Sequence, residues 1–218
     1  LVISDEVIRV ILELSRGRPD LVAIFADNPE ALPKDADRDR LIEIQTRGVL
    51  KKETESTRKT LQIIAIPEWF DIPLMRALLP PAPSVDQCWA AISKYSFIEP
   101  VADERWQLAQ GARQVLLSIW AEQPDELCRI HEAAAACFED RAQKAPDAAI
   151  EMEMAKQAVG HLLVVDEQEG CQRLRDLFAQ YEVSHLLAAC EELLRRAGRV
   201  DSLAPFRLVL EFLATCHP

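Results

Sequence analysis

The chain is short of the residues that phosphate chemistry needs. Its 218 residues include 6 glycines, at Gly17, Gly48, Gly111, Gly160, Gly170 and Gly198, and no two stand close enough to build GxxxxGK followed by Ser or Thr, or GxGxxG. Such loops need glycine at set places so that backbone amides can turn toward the anion. The expectation is a chain that is not an enzyme by itself, holds no cofactor of its own and does not bind ATP tightly. Long apolar runs are missing too. The best, Leu61 to Ile66, falls far short of the roughly 20 residues a membrane span requires. The first residues, Leu1-Val2-Ile3-Ser4-Asp5-Glu6, lack the basic segment and apolar core of a secretory signal. They also lack an initiator Met, which fits a fragment.

Cations are in deficit, with 25 Lys and Arg against 36 Asp and Glu and a formal net charge of −11. This opposes nucleic-acid binding, which rests on neutralising phosphates with Lys and Arg. The six cysteines, Cys88, Cys128, Cys137, Cys171, Cys190 and Cys216, include no CxxC pair. Most sit among Leu and Ala at helical spacing, where a thiol behaves as a small hydrophobe. They read as reduced, buried thiols of a cytoplasmic protein rather than a disulfide framework.

What the chain does have is helical patterning, since it is 49% hydrophobic and poor in glycine. Ser4, followed by Asp5 and Glu6, caps a helix whose stripe is Val7, Val10, Ile11 and Leu14, stopping at Gly17. Pro19 suits a first helical position, Leu21 to Phe25 continue that helix, Asn28-Pro29 ends it and Pro33 lies in the following loop. From Asp37 a third helix runs through Leu41, Ile42, Ile44 and Val49 to the polar segment Lys51 to Ser56, which reads as a domain boundary or a solvated helix end.

Between Leu61 and Arg113 the pattern changes. A helix closes at Pro67, and Trp69-Phe70 follow as an aromatic anchor. Asp71 caps a short helix with Leu74, Met75, Leu78 and Leu79. After Pro80-Pro81-Ala82-Pro83, Ser84 caps a third helix reaching Tyr95 and carrying Val85, Cys88, Trp89 and Ile92. Two strand-like runs, at Phe97 to Pro100 and Trp106 to Leu108, flank Ala102-Asp103-Glu104. Three helices and a terminal hairpin are the order of a winged helix-turn-helix, whose core is expected to hold Trp69, Phe70, Trp89 and Phe97. Beyond Gln110 the chain reads as helices broken near Gln123-Pro124, Ala145-Pro146, Val165-Asp166, Gln180-Tyr181 and Gly198-Arg199, a tetratricopeptide-like stack or α-solenoid. Its last helix, Leu203 to Thr215, exposes Phe206, Leu210 and Leu213 for further repeats or a partner. The fold class expected is therefore mainly α, with a helical segment over 1–53, a winged helix over 54–121 and a helical stack over 122–218.

The order of Gly17-Arg18-Pro19, then Ile66-Pro67-Glu68-Trp69-Phe70-Asp71, Leu78-Leu79-Pro80, Tyr95 to Pro100, and Arg105-Trp106-Gln107-Leu108-Ala109 with Arg113, resembles the part of a STAND-class P-loop ATPase that follows its nucleotide-binding core. That class holds the NB-ARC, NACHT and MalT-like proteins. The resemblance covers the first half well and the rest by helical character. It implies a lid, a winged helix and the start of a helical sensor, with ATP or ADP held by the full-length protein. It also implies that Pro19, the Pro of the lid's Gly-x-Pro motif, contacts adenine when the nucleotide domain is present. Where the family often has a His four residues before Arg113, touching phosphate, this chain has Ala109. That departure puts in question whether this module senses ADP.

Other groupings point to ordinary packing. Cys128 and His131 share a helix face, with Cys137 further along, but a zinc site needs another ligand at fixed spacing. His131 reads instead as part of an apolar face with Leu127, Ile130 and Ala134, and His161 and His185 read alike. Glu151 and Glu153, two apart on a helix, point to different faces. For DNA, the third helix of the winged unit offers Lys94 against Asp86, and the wing offers Arg105 against Asp103 and Glu104. The reading carried forward is a non-catalytic regulatory and interaction segment of a STAND-type ATPase. Its expected partners are other domains of that ATPase, or a protein on the C-terminal helices, with neither membrane nor nucleic acid. The alternative is a stand-alone helical scaffold or a winged-helix transcription-factor-like protein.

Overall fold

In the computed structural model, which describes residues 3–27, 32–33, 37–102 and 104–180, the chain is mainly helical with one small antiparallel hairpin. It falls into two compact units, Leu1–Leu127 and Cys128–Pro218.

In the first unit, local capping chemistry sets the helix starts. Helix α1 (Asp5–Ser15) begins at Ser4, whose hydroxyl accepts from the Val7 amide at 3.3 Å. It buries Val7, Ile11 and Leu14. Helix α2 (Pro19–Ala26) has Pro at its first position, where the missing N–H costs nothing. Helix α3 (Arg38–Lys52) is capped by Asp37 and packs against both, with Leu41, Ile42 and Val49 buried. The chain then turns in two residues. Glu53 closes α3, and Thr54 caps helix α4 (Glu55–Ile64). The expected end of the second helix at Asn28-Pro29 lies outside the described residues.

Helix α5 (Ile72–Leu78) starts at Asp71, whose carboxylate accepts from the Leu74 amide at 2.8 Å. Helix α6 (Val85–Ile92) starts at Ser84 with a reciprocal bond from its own amide to Gln87, and stops at Ile92 rather than reaching Tyr95. Strands β1 (Ile98–Ala102) and β2 (Arg105–Leu108) pair antiparallel with Ile98 opposite Leu108 and Pro100 opposite Trp106. Phe70 adds a one-residue third strand, exchanging both backbone hydrogen bonds with Trp106 at 2.8 and 2.9 Å. Trp69, Phe70 and Phe97 are buried. Trp89 is half-buried and lies against Trp106 with ring centres 4.2 Å apart. Helix α7 (Gln110–Ile119) and a single 3-10 turn (Trp120–Glu122) close the unit, with the Trp120 indole donating to the Gln62 carbonyl at 3.1 Å.

Among the described residues, the second unit comprises most of α8 (Pro124–Gln143), with α9 (Ala148–Val165) and α10 (Glu167–Gln180). Ile130, Ala134 and Phe138 of α8, Met154, Ala158 and Val159 of α9, and Leu174 of α10 are buried. Helices α9 and α10 pack together, joined through Asp166 alone. Gly170 permits that turn, since a Cβ there would stand 2.7 Å from the Leu163 nitrogen. The stripe expected beyond Leu186, with Cys190, Cys216 and His185, and the last helix with Phe206, Leu210 and Leu213 lie outside the described residues. No described helix is long and apolar enough to cross a membrane.

Candidate functional site

Of the residues that carry the resemblance, Gly17, Arg18 and Pro19 form the turn between α1 and α2. Arg16 and Gly17 both take left-handed backbone, with φ of 49° and 69°. Two such residues in succession reverse the chain and satisfy the end of α1, as the Arg16 amide reaches the Leu12 and Glu13 carbonyls. Glycine suits the second position because a Cβ resists positive φ. The turn delivers Pro19 to the start of α2, exposed. Beside it the Arg18 guanidinium grips the Asp20 carboxylate with two nitrogens, Nε at 3.2 Å from Oδ1. That hydrogen-bonded pairing holds the Asp20 carboxyl below its usual range.

Glu53, at the end of α3, accepts a bond from Lys94 Nζ at 2.9 Å and another from the Tyr95 hydroxyl. Burial pushes the Glu53 carboxyl up, but the Tyr95 and Lys94 bonds outweigh it and hold the group below its ordinary value. Burial, reinforced by Glu53, raises the Tyr95 phenol far above its usual range. The end of α3 and the segment leading into β1 therefore meet at one charged cluster.

Ala109 and Arg113 stand at the opening of α7. Ala109 is buried and donates its amide to the Phe97 carbonyl at 2.8 Å. Ala109 thus places a methyl group at the cap of α7. Arg113 is turned inward, its Nε and Nη2 each 3.0 Å from the Ala65 and Ile66 carbonyls. These carbonyls belong to the end of α4, where a helix leaves acceptors over. The cations weighed for DNA are engaged by the protein itself. Lys94 pairs with Glu53, and the Arg105 guanidinium lies 4.3 Å from the centre of the Trp69 ring.

In the second unit His131 of α8 meets His161 of α9. Its Nδ1 is 2.9 Å from Nδ1 of His161, whose buried ring stacks on Phe138. One ring must donate and the other accept, so the pair fixes opposite tautomers across α8 and α9. No group of three or more His, Cys, Asp or Glu is placed to hold a metal ion among the described residues. Among the described residues, Cys88, Cys128, Cys137 and Cys171 are not joined in disulfides. Glu153 is held by Lys156 and Gln157.

Sequence reasoning missed Gln45 and Ser96. Gln45, with no exposed surface, donates to the Leu14 carbonyl at 3.0 Å and accepts from the Ser96 hydroxyl at 3.1 Å. The signal available was a Gln on the apolar side of α3, between Ile42 and Val49. No protein-family model, curated protein or solved structure matches this chain.

Proposed function

We propose that this chain is a non-catalytic regulatory and interaction segment of a STAND-type signal-transduction ATPase. In this reading it carries the state of a nucleotide, held by another part of the same protein, into a helical sensor. The observation that carries the reading is the exposed Pro19 on a left-handed Gly17 turn, at the start of a helix that packs on α3, which in turn packs on α7 beyond the hairpin. Pro19 would close over adenine as a rigid apolar surface, a task that fits its fixed φ and missing N–H. Such transmission needs interfaces rather than catalytic groups, in keeping with the absence of any phosphate-binding glycine pattern.

The test is to read the gene upstream of Leu1. A P-loop and acidic motif in the same reading frame are expected, and the protein extended to include them should retain ADP less well as Pro19→Ala. A start codon just before Leu1 would overturn the reading in favour of a stand-alone helical scaffold or winged-helix protein. The chain alone should show no micromolar ATP or ADP binding by calorimetry.

A further inference from the structure

We infer that Pro100 closes the outer edge of the hairpin to a further strand, and so keeps the β1 strands of two copies of this chain from pairing. The sheet has two edges. Beyond β2 it ends after one residue, because Phe70 is followed at once by Asp71, the cap of α5. Beyond β1 no strand pairs among the described residues, and Pro100, Val101 and Ala102 are exposed. An open edge of this kind is a template for another chain, which adds to it by exchanging backbone hydrogen bonds.

The register decides which groups that edge presents. Along an antiparallel strand the backbone groups of successive residues point to opposite sides. Trp106 turns both its amide and its carbonyl to Phe70, at 2.9 and 2.8 Å, and so away from β1. Its partner across the hairpin is Pro100, whose nitrogen therefore faces outward and carries no hydrogen. Ile98, two residues earlier, faces the same way, and its amide already donates to the Tyr95 carbonyl at 3.2 Å. Phe97 has the opposite phase, and its carbonyl accepts from the Ala109 amide across the hairpin at 2.8 Å. Over 98–100 the outer edge thus has no amide to give. Past Pro100 the register with β2 shifts before Ala102, and such an irregularity interrupts the ladder at that end as well.

The stretch Phe97-Ile98-Glu99-Pro100-Val101-Ala102 carries a single charge. Without its proline it would be a short, apolar, weakly charged strand, the pattern that stacks edge to edge with its own copies. At the outward position a proline removes the donor that a second copy needs and leaves pairing with β2 intact. This role of Pro100 stands whether or not a P-loop lies upstream of Leu1.

The test uses the whole chain as parent, Pro100→Ala and Pro100→Val. Hydrogen exchange at low concentration reads where the new donor points. The amide introduced by Pro100→Ala should exchange as fast as in an unfolded peptide, with the inward Glu99 amide slower by about ten-fold or more. An introduced amide as slow as that of Glu99 would overturn the assignment. Sedimentation velocity from micromolar to millimolar concentration reads the consequence. Pro100→Val should form larger species that grow with concentration and are absent from the parent, and a further Val101→Lys on the same edge should remove them. A Pro100→Val chain that keeps the parent's circular dichroism and sediments like the parent throughout would also overturn it. If Pro100→Val loses its fold, the amide introduced by Pro100→Ala decides.

Discussion

Replacing Gly111 by Ala should destabilise the first unit, although alanine is the better helix former. The new methyl carbon would lie 2.5 Å from the Asp39 carbonyl oxygen and 3.3 Å from its carbon. The obstacle is the backbone of the first turn of α3, which has no rotamer to escape into. Overpacking of this kind costs about 1–3 kcal/mol. The intrinsic preference for Ala over Gly returns at most ~1 kcal/mol, and less here because Gly111 is the second residue of α7. A net loss of about 1–2 kcal/mol follows. All four tryptophans, Trp69, Trp89, Trp106 and Trp120, belong to the first unit, so urea unfolding followed by tryptophan fluorescence reads that unit. With a slope of about 1–3 kcal/mol per molar urea, the midpoint should fall by roughly 0.5–1 M. Gly160, inside α9 with nothing within 4 Å of a built Cβ, is the control. Its replacement by Ala should stabilise α9 by up to about 1 kcal/mol, read from amide exchange. A Gly111→Ala protein as stable as the parent would refute the close crossing of α3 and α7.

Gln45→Leu should cost about 2–3 kcal/mol in the same urea assay, because it strands a buried carbonyl and hydroxyl while filling the same space; an unchanged midpoint would count against the Gln45 bridge. Asp71→Ala removes the cap that accepts from Leu74 and should cost about 1–2 kcal/mol, with Asp71→Asn largely restoring it. Glu53 has a folded-state pKa below its ordinary 4.5, so its contribution is complete above that value and fades as pH falls through the lower, folded one. A series of urea midpoints from pH 7 to 3 should therefore decline more steeply in the parent than in Glu53→Gln, and parallel curves would refute the Lys94–Glu53–Tyr95 cluster.

Helix starts were legible from the residues alone. Ser4, Asp71 and Ser84 each cap through an amide three positions along the same chain, so the information is local and needs no partner. The turn at Gly17 and the position of Pro19 are local in the same way, being matters of backbone dihedrals. Burial of Trp69, Phe70 and Phe97 could be expected because apolar burial rewards any large side chain at the right spacing, whereas Trp89 stays half-buried against Trp106. Tertiary structure alone decided the polar partners. Gln45 finds Leu14 and Ser96 at separations of 31 and 51 residues, Glu53 finds Tyr95 at 42, and His131 finds His161 at 30. It also decided that Phe70 pairs with Trp106, and that Gly111 marks a crossing while Gly160 does not. A helical pattern states which face is buried but not which neighbour covers it. Directional hydrogen bonds and close backbone approaches depend on that neighbour to within an ångström, so they become visible only once the helices are in place.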